Sequence, residues 1–382
     1  MTTLENRVRS EERVWAEIDL DRIAANFRLL RDAAGGADVM TVLKADAYGH
    51  GVVPIARRLA AEGATMIGVG DSAEALELRK AGIDAPILIL GAIIPGEAER
   101  VVARDIATCI HSFSRAVHLS EVAAAAGRTA HVHLMVDTGM GRLGVTPARA
   151  PELAREIATL PHLELCGVAT HYASASSPIP IQLERQYTDF SKVVASIRDA
   201  GVDPGLVHAS NSACLFSPLR EHFSMVRLGI GLLGINPGNL EETDDRLAPA
   251  LSLKSQIIFM KDFPTGAPIG YHRTWVTRRP TRIATLPIGY NDGLSWQLGN
   301  RAWVLVRGVR APIVGAVSMD YTTLDVTHVK DASVGDEATI IGRDGDEEIR
   351  VEDVAAAART IPYEVTCRLS RRVVRVHTNG GA

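Results

Sequence analysis

Residues 130–170 read AHVHLMVDTGMGRLGVTPARAPELAREIATLPHLELCGVAT. Two apolar runs, Ala130–Val136 and Leu163–Thr170, frame a helical stretch that opens at Thr146-Pro147, a cap followed by proline at the first helical position. Strands joined through a helix run parallel when they share a sheet, because the crossover returns the chain to the same end. The unit repeats on both sides. Further β-branched, apolar runs at Met40–Lys44, Met66–Val69, Pro86–Leu90, Ala107–Ile110, Leu206–Ala209 and Met225–Leu228 bring the total to eight. The helices between them have readable ends. Asp71 with Glu74 forms an acidic capping-box variant, and Leu76 and Leu78 lead to Gly82 as a stop. An earlier helix carries Ile23, Phe27 and Leu30 on one face and ends at Gly35-Gly36. Eight strands close a (β/α)8 barrel in roughly 250 residues. An α/β barrel is therefore expected, with a doubly wound open sheet as the competing arrangement. No GxGxxG follows the first run, which disfavours the dinucleotide-binding version.

The pattern changes at the polar, acidic stretch Asn236–Arg246, NPGNLEETDDR. Beyond it, strand signals follow without long helices at Leu251–Phe259, Thr281–Leu286, Ala302–Val306, Ala311–Val314, Tyr321–Val326, Glu337–Ile341 and Val373–His377, with one short helix near Asp353–Arg359. This predicts a barrel over residues 12–240 and a second, mostly antiparallel β domain over residues 247–382, with about the first ten residues packing on the latter.

Composition narrows the function. The chain has 382 residues with 41 basic and 45 acidic side chains, for a net charge of −4; nucleic-acid binding, which needs a basic face, is not expected. No apolar run reaches the ~18 residues of a membrane span, and Met1–Arg13 lacks a signal-peptide apolar region. The scattered Cys109, Cys166, Cys214 and Cys367 form no CxxC pair, which suits reduced thiols in a cytoplasmic protein.

In a parallel barrel the loops after the strands build the site. The polar residues there are Lys44 with Tyr48 and His50, Asp137 with Arg142, His171, Asn211-Ser212, and Arg227 with Gly229. A lysine desolvated at a barrel mouth has a lowered pKa and forms imines with carbonyls. After the last two strands, Ser212 and the amides of Gly229-Ile230-Gly231 offer a phosphate site. Lysine plus phosphate site suggests pyridoxal phosphate; a sugar-phosphate aldolase fits almost as well. His131 and His133 alternate on one strand, nothing in the sequence completes a metal site around them, and barrel packing or surface is the expected role.

The residues also carry a family resemblance. VLKADAYGHG (Val42–Gly51), VDTGMGRLG (Val136–Gly144), GVATHYA (Gly167–Ala173), HASNSA (His208–Ala213) and VRLGIGLLG (Val226–Gly234) resemble, in order, motifs of the alanine racemase family. GYHRTW (Gly270–Trp275), LPIGYNDG (Leu286–Gly293), GAVSMD (Gly315–Asp320) and IPYEV (Ile361–Val365) continue the match. The resemblance implies a homodimer with shared sites that interconverts L- and D-alanine and supplies D-alanine for peptidoglycan. It implies that Lys44 holds pyridoxal 5'-phosphate as an imine and is one base, with Tyr271 of the partner subunit as the other. Tyr48, Ser212, the amides of Gly229 and Ile230, and Tyr363 would hold the phosphate. Arg227 would face the pyridine nitrogen, His171 would stack near the ring, and Arg142 would touch the phenolic oxygen. Met319 of the partner subunit, through its amide, would bind the substrate carboxylate, with Asp320 supporting that wall. Alternatives are a racemase for serine or a wider set of amino acids, a basic amino-acid decarboxylase of similar architecture, and a non-catalytic pyridoxal-phosphate carrier.

Three features depart from the family pattern. The position seven before Arg142, commonly a lysine that becomes carbamylated, is Met135. His272 and Arg273 follow Tyr271 where small residues are common, and ASASS after His171 lacks the usual acidic residues.

Overall fold

The computed structural model describes residues 11–175, 179–217, 219, 221–237 and 247–379. The predicted barrel closes. Strands β2 (Asp38–Val42), β3 (Met66–Val69), β4 (Ile87–Ile89), β5 (Ala107–Ile110), β6 (Ala130–Val136), β7 (Leu163–Thr170), β8 (Leu206–Asn211) and β9 (Met225–Leu228) form a closed ring. Every neighbouring pair is parallel, with β9 returning to β2 through Asp38↔Met225. Their apolar side chains fill the interior, which explains the near-continuous hydrophobic runs of strands covered on both faces.

The first helix, Leu20–Ala33, buries Ile23, Phe27 and Leu30 as expected, and Asp19 caps it by accepting from the Asp21 and Arg22 amides. Two other helix signals read differently in space. Thr146-Pro147 opens a turn, and the helix itself starts at Ala150 with Pro151 in its first turn. Asp71 does cap the helix Ser72–Lys80 through the Glu74 amide. The Glu74 carboxylate, however, turns away from that cap to accept from Gly70 N at 2.7 Å and Ala45 N at 2.6 Å. It thereby ties the end of β3 to the loop after β2.

The second lobe is mostly antiparallel. Its main sheet contains β1 (Val14–Asp19), β10 (Leu251–Gln256), β15 (Trp303–Val306), β16 (Val309–Pro312), β18 (Glu337–Asp344), β19 (Glu347–Ile349) and β20 (Val374–Thr378). A smaller sheet holds β11 (Phe259–Phe263), β14 (Thr281–Leu286) and β17 (Thr322–Asp325), and a ribbon pairs β12 (Pro268–Ile269) with β13 (Trp275–Val276). The reading that put residue 12 onward in the barrel is corrected here. Strand β1 pairs antiparallel with β10 and parallel with β20, so Val14–Asp19 belong to the second lobe's sheet. The expected strand Leu251–Phe259 is two strands, β10 and the start of β11, in different sheets. A second short helix, Pro362–Cys367, follows Val351–Ala358. One continuous hydrophobic core runs through both lobes, from Ile23 and Met40 to Leu305 and Ile341. The expected packing of the first ten residues and most of the 236–246 boundary lie outside the described residues.

Candidate active site

The C-terminal ends of the barrel strands surround a cavity of about 550 Å³ lined by Lys44, Tyr48, Arg142, His171, Ser212, Arg227, Gly229, Ile230 and Tyr363, together with Met135 and Asn211. The lining carries three cationic side chains and no carboxylate. It is a site for an anion.

Lys44 follows β2 directly, and the next residues make an unusual turn. Ala45, Asp46, Ala47 and Tyr48 hold φ of 53°, 54°, 51° and 54°, a left-handed turn that costs roughly 1–2 kcal/mol per non-glycine residue. The Glu74 carboxylate holds its first amide, and Asp46 caps the following helix by accepting from Val52 N at 2.7 Å. The turn folds the Tyr48 ring back beneath Lys44, edge-on to Tyr363 with ring centroids 6.0 Å apart. Strain stored at a site by surrounding contacts is characteristic of function. Lys44 reaches the open mouth of the cavity, and its pKa lies below the ordinary lysine value through burial first and the Arg142 charge second. Burial raises the Tyr48 and Tyr363 hydroxyls, which therefore stay protonated as donors.

Gly229 lies so close to Tyr48 that a Cβ there would stand 2.3 Å from the tyrosine oxygen. Its amide donates to Ser212 Oγ at 2.9 Å. This amends the expected cradle: the Gly229 amide is already satisfied, and it orients Ser212 so that the hydroxyl proton is available. The Ile230 amide opens a short turn and has no acceptor among the described residues.

Arg227 is buried at the barrel centre. Its Nη1 donates to His208 O at 2.8 Å and His208 Nδ1 at 2.9 Å, while Nη2 faces Thr170 O and Ala209 O at 2.8 Å and His171 Nδ1 at 3.2 Å. Guanidinium cannot accept, so each imidazole nitrogen facing it must. His208 therefore carries its proton on Nε2 and donates to His133 Nδ1 at 2.8 Å, leaving the His133 proton on a buried Nε2 with no partner. These tautomers follow from the hydrogen-bond network. Burial, then the Arg227 charge, pushes His133 down to about 4 and His171 to about 3, and holds His208 far below its usual value. All three rings stay neutral. The expectation that His133 is barrel packing is thus incomplete: it ends a relay to Arg227. His208 carried no assigned role in the sequence; histidines at alternate positions of a barrel strand were the available signal.

Arg142 stands on a tight turn after β6, where Asp137 accepts from the amides of Gly139, Met140 and Gly141. Those bonds hold the Asp137 carboxyl below its usual range against the opposing effect of burial. The guanidinium itself has no hydrogen-bond or ion-pair partner among the described residues.

Tyr271, Met319 and Asp320 do not line this cavity within one chain. Tyr271 is 69% exposed and borders a separate hollow of about 330 Å³ with Ser318, Tyr321 and Thr323. Its neighbours His272 and Arg273 hold φ of 58° and 51°, a left-handed conformation that any residue with a Cβ adopts at a cost. Gly270 before them has φ 74°, and a Cβ there would sit 3.1 Å from Ala316 N. Met319 is 53% exposed, and its amide has no backbone acceptor among the described residues. Asp320 pairs with Arg372 at 2.8 Å, which in turn reaches buried Asp292 at 3.1 Å.

A lysine of lowered pKa and a carboxylate-free lining of cations and hydroxyls at the mouth of a closed parallel barrel are the features of barrel enzymes that hold an anionic ligand beside a lysine. Comparison with known proteins narrows it. Residues 18–237 match the family model "Alanine racemase, N-terminal domain" and residues 250–377 match "Alanine racemase, C-terminal domain". The chain belongs to the alanine racemase family. It is 42% identical over 367 residues to an alanine racemase of Symbiobacterium thermophilum, covering 95% of this chain and 96% of that one. Among solved structures, it resembles the alanine racemase of D-cycloserine-producing Streptomyces lavendulae with a TM-score of 0.91 at 36% identity, covering 96% of this chain and 97% of that one. It also resembles a histidine racemase from Leuconostoc mesenteroides, with a TM-score of 0.89 at 28% identity and coverage of 97% and 99%. No helix among the described residues is long and apolar enough to cross a membrane.

Proposed function

We propose that this protein interconverts L- and D-alanine in a cytoplasmic homodimer, with pyridoxal phosphate on Lys44 and the D-alanine going to peptidoglycan. The observation that carries the reading is the cavity itself: a lysine of lowered pKa faces two guanidiniums, three hydroxyls and a free amide. That donor set fits a phosphate-bearing aldehyde. When bound, the cofactor supplies an electron sink that acidifies the Cα–H of an attached amino acid.

The residues then divide the work. Ser212, Tyr48, Tyr363 and the Ile230 amide hold the phosphate, with Gly229 keeping Ser212 aimed. Arg227 spends both Nη groups on protein acceptors and keeps its Nε–H for the pyridine nitrogen. Because guanidinium only donates, it would leave that nitrogen unprotonated when the cofactor is bound, which would temper the sink and limit side reactions. His171 would lie against the ring and Arg142 would meet the phenolic oxygen; both line the cavity. Removing a proton from one face and returning one to the other needs a base on each side. Lys44 serves one face, and Tyr271 of the partner subunit serves the other. Met319 of the partner subunit, through its amide, would receive the substrate carboxylate on a wall stiffened by the Asp320–Arg372 pair.

The test is chiral analysis of products from L-alanine, L-serine and L-histidine incubated separately with cofactor-loaded protein. Fastest conversion of alanine to an equal mixture of enantiomers is expected. Faster racemisation of serine or histidine would transfer the assignment to that substrate, and no racemisation of any would overturn it.

A further inference from the structure

The N-terminal end of the barrel, opposite the cavity, gathers side chains that no part of the proposed racemase chemistry uses. His131, the second residue of β6, pairs in register with Glu164 of β7. The register then shifts so that Val132 faces Leu165 and His133 faces Gly167. Cys166 is the extra, bulged residue, and bulges re-aim side chains. Here the bulge brings Cys166 Sγ to 3.4 Å from His131 Nδ1, the nitrogen that also lies 3.4 Å from Glu164 Oε2. The three donor atoms lie within 4.8 Å of one another. On the other side of the ring, His131 Nε2 lies 3.3 Å from Asp105 Oδ1, just ahead of β5.

We propose that His131, Cys166 and Glu164 form a zinc site, with Asp105 orienting the imidazole and the fourth position open to water. The spacing suits that ion. Tetrahedral bonds of about 2.0 Å to nitrogen or oxygen and about 2.3 Å to sulfur put ligand nitrogen and sulfur about 3.5 Å apart, and nitrogen and oxygen about 3.3 Å apart. A carboxylate on the far ring nitrogen is the partner that metal-bound histidines usually have, fixing the tautomer and raising basicity. A mixed sulfur, nitrogen and oxygen set favours zinc over calcium or magnesium. A simple ion pair explains less, because one Nδ1 cannot point its single proton at both Glu164 and Cys166. Glu164 and Asp105 are exposed, and His131 is 36% exposed at its side chain, so the ion enters from solvent.

Calorimetric titration of chelator-treated holoenzyme with zinc chloride should show one equivalent bound per chain. Cobalt(II) should give visible d–d bands, clear of cofactor absorption in the near ultraviolet. Cys166→Ser and His131→Ala should abolish both signals, and Asp105→Asn should weaken zinc binding about 10–100-fold. Racemase activity should persist in all three, reporting that they fold. Absence of a stoichiometric zinc signal in the unmodified protein would overturn the proposal, as would a signal that survives both Cys166→Ser and His131→Ala.

Discussion

At the residue scale, the least ordinary feature is a buried arginine serviced by neutral histidines. Arg227 needs His208 and His171 as acceptors, so protonating either ring would set two cations face to face. The linkage has a definite sign. A histidine whose folded pKa is lowered, as for His133 at about 4, leaves stability intact above its unfolded value of 6.5 and loses it as pH falls towards 4. Each such ring contributes up to about 1.4 kcal/mol per pH unit in that window. Urea midpoints should therefore fall between about pH 6.5 and pH 5, above the range where most carboxylates titrate. His133→Asn keeps an acceptor for His208 and should make that decline shallower; an unchanged slope would refute the neutral relay. Arg142 poses the opposite problem, a guanidinium with no hydrogen-bond or ion-pair partner among the described residues, in a cavity also lined by Met135, which offers only a weak sulfur acceptor. An anion would supply a charge-assisted bond about twice as strong as a neutral one. Cofactor retention or turnover should then depend on chloride at constant ionic strength, and Met135→Lys with bicarbonate should reduce the dependence. Equal activity in chloride and a bulky anion would dismiss the idea.

At the scale of elements, the left-handed turn after β2 is the device that puts Lys44 and Tyr48 in one cavity. Four successive residues with positive φ are held by Glu74 from the first turn of the helix Ser72–Lys80 and by the packing of Tyr48 against Tyr363. Alanine is a poor choice there, since a Cβ disfavours this region and glycine does not. Ala45→Gly should consequently change stability by less than about 0.5 kcal/mol, because relief of strain offsets the greater freedom of the unfolded chain. The same replacement at Ala124, exposed in the right-handed helix Phe113–Ala125, should cost about 1 kcal/mol. Chemical denaturation of the two variants makes the comparison. Equal losses would mean the turn is unstrained.

At the scale of the whole molecule, two lobes share one core, and β1, which precedes the barrel in sequence, lies between β10 and β20. The proposed site is split, with Lys44 in the barrel cavity and Tyr271, Met319 and Asp320 on a different face of the same chain. The homodimer reading predicts complementation. Mixing inactive Lys44→Ala and Tyr271→Phe proteins under subunit exchange should restore up to about a quarter of wild-type activity if subunits mix randomly, because half the dimers would be mixed and each would contain one site with both bases. No recovery after verified exchange would mean that each chain completes its own site.

The sequence by itself determined the barrel and the positions of its mouth, because alternating apolar runs and helices are one-dimensional patterns that burial imposes locally. It also marked Lys44, Arg227, Ser212 and His171, since strand-end polar residues share one rim once the barrel is granted. Tertiary structure decided the rest. No periodicity reports that Val14–Asp19 pairs in the second lobe, that Glu74 leaves its own cap for the Lys44 turn, or that Ala45–Tyr48 wind left-handed. The relay from Arg227 through His208 to His133, and the meeting of His131 with Cys166, depend on register between strands. A single bulged residue resets which side chains face one another. Local pattern encodes which residues are buried; only the closed ring, with its register shifts, decides which of them touch.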